Sequence, residues 1–399
     1  MRSLILYSLC IIGLMILLTG CRNKKNNTYN STEYPIIINI NEAVKNKIDF
    51  KLSEVVDSIS YIPVESIIGD YVTYLAATLL KFGENYIISE NYEGGGDVVC
   101  FDRSGKFVGK IARRGQGPGE LPGMMIGELA IDEKHEIVYV LPGFSYNKIY
   151  KYDLKGSFLG EIALMHQAEK IAVSPSGQLL VHFPNWTGDL EYSCLLFDHE
   201  GNIVNKLKNN IFYKFNEKKG RSREGLCYIY NDQIHVKDKC DTLFVVDNNS
   251  FQPKYVFNTG KNHSNNITQQ EYDEKITFYT IFETDDKVLF HFQLNERWYN
   301  AYYDKNKRKA FSSPGEPINN GYSFGYFIND MDDEKEFFFL FSDYQFNDKI
   351  LIMRSFEFDR DELKKKISVS KYLEITNMLD SMMLNDESPV ILSLYHLKK

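Results

Sequence analysis

The chain has 399 residues, a formal net charge of −8, and 43% hydrophobic against 25% charged residues. That much apolar material excludes a disordered chain, and the mildly acidic balance gives no broad attraction for nucleic acid. Aromatics reach 14%, with 27 Phe and 27 Tyr, a bias that favours many short strands.

Residues 1–20 have the layout of a secretory signal. Arg2 supplies the positive start, Leu4 to Leu18 is almost wholly apolar, and Leu18-Thr19-Gly20-Cys21 closes the segment. An apolar run of about fifteen residues falls short of the roughly twenty that span a bilayer, and it fits a cleavable signal. The closing tetrapeptide resembles the bacterial lipobox, which implies cleavage before Cys21 and acylation of that residue on its thiol and its new amino terminus. Several acyl chains on one residue make a stable anchor. The alternative is an N-terminal anchor helix with an incidental cysteine. Residues 21–48 follow as the lipidated cysteine and a tether, polar and aperiodic from Arg22 to Thr32, with a reach of ~20 Å for a flexible chain.

From residue 49 the chain repeats itself. The clearest copies are Phe101-Asp102-Arg103-Ser104-Gly105, Tyr152-Asp153-Leu154-Lys155-Gly156 and Phe197-Asp198-His199-Glu200-Gly201. In Asp-x-x-Gly between two apolar runs, the carboxylate accepts from the turn's amides and glycine takes the left-handed position. Weaker copies are marked by Asp247, Asp304 and Asp359, and an apolar strand precedes each marker, Phe337 to Phe341 before the last. Six sets at a period of about fifty residues match four-stranded propeller blades. The predicted fold is all-β: one six-bladed β-propeller over 49–399. It is closed by a strand within Lys51–Val64 pairing with one within Ser388–Leu397, because closure removes the open sheet edges. Leu363, Ile367, Ile375, Met378, Leu379 and Met382 recur at helical spacing, which predicts a helical insertion at about 361–384.

These features resemble the six-bladed β-propeller lipoproteins of Bacteroidetes, related to NHL-repeat propellers and known as domains of unknown function. The residues that carry the likeness are the lipobox, Val56 to Glu65, Gly115-Gln116-Gly117-Pro118-Gly119-Glu120, and Ser388 to Leu392. The resemblance implies the fold, a lipid anchor and the cell envelope, and it supplies no reaction. Surface-exported lipoproteins of such bacteria tend to carry acidic residues after the cysteine. Here the tether is basic, so the expectation is an outer-membrane anchor facing the periplasm.

Several residues are candidates for a site. Arg113 and Arg114 beside consecutive glycine amides suit a tight crossover between blades or, as the alternative, an anion-binding nest. Trp186, in a loop between Asn185 and Asp189, suits stacking on a sugar ring or capping of a blade. His182, His235 and His291 fall in corresponding strands of three successive sets and would hold a divalent metal if they converged on the channel; otherwise they are core residues. Asn329 to Glu334 is rich in carboxylates but lacks the EF-hand pattern. Cys227 and Cys240 either pair in an oxidising compartment or stay free. The leading expectation is a monomeric, envelope-anchored binding or scaffolding module for a glycan, peptide or protein partner, with no catalytic residues and no firm cofactor. The alternative is a metal-dependent lyase or hydrolase with its site in the channel.

Overall fold

Each repeat folds around a turn whose chemistry is local. Asp102 Oδ1 accepts from the amides of Ser104 (2.8 Å) and Lys106 (3.1 Å), and Asp153 Oδ1 from those of Lys155 (2.9 Å) and Ser157 (2.7 Å). Asp198 Oδ1 accepts from Asn202 (2.8 Å), and Asp304 Oδ1 from Asn306 (3.0 Å) and Lys307 (2.8 Å). Gly105, Gly156 and Gly201 close the first three turns at φ of 86°, 87° and 94°. At Asp247 the turn shortens to Asn248 and Asn249, both at positive φ, the tight form that matches strand twist.

The computed structural model describes residues 34–398 apart from 66, 69–70, 73–78, 92–95, 123–124, 144–146, 216–224, 261–265, 295–296, 314, 318–322, 326, 329, 332–336, 339–344, 347–348, 355–363, 365–368 and 382–389. The signal, Cys21, most of the tether and Asp359 therefore lie outside the described residues. No helix among the described residues is long and apolar enough to cross a membrane.

The described chain is all-β. It opens with β1 (Ile36–Asn39), α1 (Ile40–Lys45) and β2 (Val56–Val64), followed by four-stranded antiparallel meanders. The first is β3 (Lys81–Phe82), β4 (Tyr86–Asn91), β5 (Asp97–Asp102) and β6 (Phe107–Ala112). The second is β7 (Ile126–Asp132), β8 (Ile137–Pro142), β9 (Lys148–Asp153) and β10 (Phe158–Ala163). The third is β11 (Lys170–Val173), β12 (Leu179–His182), β13 (Tyr192–Phe197) and β14 (Ile203–Lys208). The fourth is β15 (Leu226–Tyr230), β16 (Gln233–Lys237), β17 (Thr242–Asp247) and β18 (Ser250–Asn258). The fifth is β19 (Thr277–Glu283), β20 (Lys287–Leu294), β21 (Arg297–Asp304) and β22 (Lys309–Ser312). The first strands contact one another in chain order, β3 with β7, β7 with β11, β11 with β15 and β15 with β19. That is the arrangement of a β-propeller, with first strands innermost.

The closing sheet takes β23 (Gln345–Phe346), β24 (Lys349–Arg354) and β25 (Val390–Leu397) from the C-terminal part, and β2 as its outermost strand. β2 and β25 pair antiparallel from Val64↔Val390 to Val56↔Leu397, the closure expected from the sequence. α2 (Val369–Ser381) lies within the predicted insertion. The sixth repeat needs correction. Phe337–Phe338 pairs with Phe327–Ile328 and not with the closing sheet. The second strand of that sheet is β24, and its third is β25 across the insertion, while the marker Asp359 lies outside the described residues. Phe346 also bridges Ile229, which joins this sheet to the fourth meander.

The N-terminal segment wraps the outside before closing the ring. β1 adds to β18 as a parallel fifth strand, with Ile36 opposite Tyr255 and Asn39 opposite Asn258. Asn39 Oδ1 caps α1 at the Glu42 amide (3.0 Å), α1 packs on β21 and β22, and the Ile48 amide donates to Ser312 O (2.9 Å).

The core lies between adjacent sheets, because alternating side chains of each meander face its neighbours. Ile88, Val98, Val138 and Val140 pack together between the first and second meanders, and Tyr255, Phe257, Phe278, Phe290 and Phe292 between the fourth and fifth. A fully buried Phe contributes roughly 1.5–3 kcal/mol. Polar fasteners join the same interfaces. Glu283 accepts from Lys254 (2.9 Å), Lys305 (2.7 Å), Tyr255 (2.6 Å) and Tyr228 (3.3 Å). Glu133 of the second meander accepts the amides of Asn85 and Tyr86 in the first, both at 3.0 Å. Cys100, Cys194, Cys227 and Cys240 are all free, so the Cys227–Cys240 pair is not formed.

Candidate functional site

Strand direction alternates, so each meander has two ends. The turns joining first to second and third to fourth strands share the hairpin end. The turns joining second to third strands, and the connections between meanders, share the loop end, where the innermost strands begin.

At that loop end three successive inner strands bring together Lys81, Glu128 and Lys170. Lys81 Nζ lies 2.8 Å from Glu128 Oε1 and Lys170 Nζ 2.9 Å from Oε2. Burial alone would raise the Glu128 carboxyl, but Lys170 and then Lys81 outweigh it and hold the group at about 2. Beside the triad, the Gly225 amide donates to Glu169 Oε2 (3.0 Å), and the Glu169 amide donates to His182 O (2.9 Å). His182 Nδ1 lies 3.6 Å from Glu169 Oε2, and among the described residues neither ring nitrogen has a hydrogen-bond partner. Burial lowers the imidazole against the opposing pull of Glu169. A Cβ at position 225 would sit 2.3 Å from His182 Nδ1, so only glycine fits against the ring. Cys227, second residue of β15, has its thiol pushed up to about 12 by burial, with Lys170 pulling the other way.

The residues singled out from the sequence are placed as follows. Arg114 is committed to the frame: its Nη2 pairs with Glu90, Nε donates to Gly96 O (2.9 Å), and its amide to Asp97 Oδ1 (3.2 Å). Glu90 Oε1 also accepts the Ile126 amide (3.2 Å), so the set ties the first meander to the second. Burial raises the Glu90 carboxyl despite the Ile126 amide and Arg114. Arg113 is exposed, but the neighbouring nest is filled from within. The Gly117 amide donates to Glu120 Oε2 (2.8 Å), and the Leu121 amide to Arg113 O (2.8 Å). A side-chain carboxylate thus stands where an anion would sit. Trp186 is half-buried at the loop end, next to an Asn185 that donates to Ile211 O (2.7 Å). Asp330 accepts from the amide (2.9 Å) and hydroxyl (2.6 Å) of Ser53.

The three histidines do not converge. Each sits on the second strand of its meander, with its side chain directed into packing rather than to the inner wall. His182 faces Gly225 and Glu169. His235 stacks on Tyr228 with ring centroids 4.7 Å apart and lies 2.9 Å from Lys254 Nζ. His291 bonds Asn300 Oδ1 (2.5 Å) and stacks on Trp298 at 5.1 Å. Among the described residues no group of three His, Cys, Asp or Glu side chains is arranged to hold a metal. Of the two placements the sequence left open for these histidines, the structure has three separate core positions. Lys81, Glu128 and Lys170 went unremarked in the sequence. The available signal was a carboxylate inside the apolar run Ile126-Gly127-Glu128-Leu129-Ala130-Ile131.

A family model described as "Domain of unknown function (DUF4934)" matches residues 35–391. A Bacteroides fragilis protein named "Putative exported protein" has a solved structure that is 17% identical, with 91% of this chain and 99% of that one covered and a TM-score of 0.56. A protein of unknown function from Bacteroides thetaiotaomicron is 8% identical, covers 85% and 76%, and gives a TM-score of 0.41. BamB from Moraxella catarrhalis is 11% identical, covers 64% and 66%, and gives 0.39. No curated protein matches the chain.

Proposed function

The chain belongs to the DUF4934 family, and from that premise we propose that it is an exported, six-bladed propeller lipoprotein held to the envelope through Cys21. It binds a glycan, peptide or protein partner at the loop end without transforming it. Two features support export: the signal-like N-terminus, and the likeness in fold over nearly the whole chain to a B. fragilis protein named "Putative exported protein".

The observation that carries the binding role is the pair of lysines, Lys81 and Lys170, set 2.8 and 2.9 Å from the Glu128 carboxylate at the loop end, which fixes the charges there. Glu128 is held ionised at about 2, the His182 imidazole is held neutral, and the Cys227 thiol is held protonated at about 12. General acid–base and thiol chemistry need groups poised near the working pH. These groups instead present fixed charge and fixed donors, which suits recognition. Metal-dependent lyase or hydrolase chemistry would need converging ligands, which His182, His235 and His291 do not supply.

The test is calorimetric titration of the purified chain with envelope glycans and acidic peptides, with the mixtures analysed by mass spectrometry. Saturable binding that weakens in Lys170→Ala, with the ligand recovered intact, supports the reading. Product formation that Glu128→Gln abolishes overturns it.

A further inference from the structure

The outermost strands of the first three meanders share a feature that the fourth and fifth lack. The sixth residue after each marker aspartate, and in two cases the fifth as well, is apolar and exposed. These residues are Val108 (49%), Phe158 (43%) with Leu159 (49%), and Ile203 (47%) with Val204 (37%). They open β6, β10 and β14, next to the hairpin turns, so they form an arc along the outer rim of the hairpin end. An exposed lysine precedes the first two, Lys106 and Lys155, whereas Lys206 of the third meander turns away to lie over the Tyr192 ring at 5.0 Å. On the fifth meander the corresponding Ala310 is buried and α1 packs on the strand, while on the fourth β18 opens with Ser250 and a half-buried Phe251.

The direction of β1 supplies the second observation. It runs parallel to β18, from Ile36 opposite Tyr255 to Asn39 opposite Asn258, and β18 starts at a hairpin turn. The chain therefore enters the ring from the hairpin end, the end that bears the apolar arc. Cys21 lies thirteen positions before Tyr34.

We propose that the hairpin end of the first three meanders docks on the bilayer surface, which turns the loop end and its Lys81–Glu128–Lys170 triad away from the membrane. The apolar pairs enter the boundary between headgroups and acyl chains, and Lys106 and Lys155 reach anionic headgroups, the division of labour that surface-bound amphipathic elements use. The proposal rests on the lipid anchor put forward above.

The test uses the full lipidated chain in vesicles of phosphatidylethanolamine and phosphatidylglycerol. An environment-sensitive fluorophore is attached at Leu159→Cys, at Val204→Cys or, at the loop end, at Thr187→Cys; the parent chain labelled in the same way sets the background. Nitroxide lipids should remove most of the emission at 159 and 204 and leave that at 187 unchanged. Loss at 187 equal to that at 159, or full emission at 159 and 204, overturns the docking. Shielding of 159 and 204 without lipid, growing with protein concentration, also overturns it and makes the arc a contact between copies. Flotation with the vesicles reads the anchor separately. A chain that floats equally well as Cys21→Ser overturns the anchor reading, while the quenching pattern still decides the docking.

Discussion

Glu128 and Glu283 are chemically alike and structurally opposed. Each is a buried carboxylate gripped by two lysines, and each is held ionised against burial by those cations. Glu283 sits at the hairpin end, where Lys254, Lys305, Tyr255 and Tyr228 supply four donors to its two oxygens. That saturates a carboxylate, which has about four lone-pair sites. Glu128 sits at the loop end, and the side chains of its partners Lys81 and Lys170 keep 9% and 15% of their surface. One cluster is closed and works as a fastener between blades. In the other only two side chains, Lys81 and Lys170, grip the carboxylate, so donor number separates the clusters, whereas exposure, 17% at Lys305, does not.

The sharpest way to break this comparison is Glu283→Gln. It strands Lys254, whose side chain keeps only 5% of its surface, and removing one member of a buried ion pair costs about 3–5 kcal/mol. A denaturant midpoint that barely moves would show that the cluster is not a fastener. Glu128→Gln leaves two lysines that can recruit water, so the expected loss is about 1–3 kcal/mol, with altered ligand affinity. A loss as large as that at Glu283 would erase the distinction between the two ends.

Acidification separates the groups further. The native Glu128 carboxyl, at about 2, lies below its ordinary value of 4.5. Its contribution is therefore present above pH 4.5 and is lost as pH falls from 4.5 toward about 2. His182, His235 and His291 are all lowered from 6.5, chiefly by burial. The unfolded chain takes up protons near pH 6.5 that the fold refuses, so stability is full above 6.5 and declines below it. Because the His182 ring forms no hydrogen bond among the described residues, His182→Leu should change stability at pH 7.5 by less than about 1.5 kcal/mol and reduce the decline between pH 6.5 and 5. Denaturant melts across that range check both statements.

The last test bears on the hairpin turns. A Cβ at Gly201 meets nothing within 4 Å, whereas one at Gly156 would sit 2.4 Å from Lys110 O. Gly201→Ala should cost about 1–2 kcal/mol from left-handed backbone alone, and Gly156→Ala measurably more. Equal losses would show that the neighbouring strand yields.

What could be read in the sequence was local. The turns at Asp102, Asp153 and Asp198 were legible because carboxylate and glycine specify a hairpin within five residues. The closing strands were legible because they are apolar segments at both ends of a repeat that needs no free edge. Phe337 to Phe341 misled because an apolar run does not say which sheet it joins, and the last sheet takes its third strand from beyond a helix. Lys81, Glu128 and Lys170 were hidden for a related reason. They lie on three different repeats, the two lysines pass for surface residues, and only the ring brings both within 3 Å of Glu128. The histidines share a strand position, but the side of a strand that a residue faces depends on register, which a marker count does not fix.

The pairing of β2 with β25 also governs how the protein is made. Ser60 Oγ and His396 Nε2 sit 2.9 Å apart across 336 positions, so the first long strand to be synthesised must wait for the last. Loop closure over that span is the step that local contacts cannot reward early, which places ring closure late and makes it slow. Until then β2 has an open edge, and an exported chain would carry that edge unpaired through translocation, exposed to wrong partners. A holding factor that shields strand edges would therefore raise the yield of folded protein most at this final step.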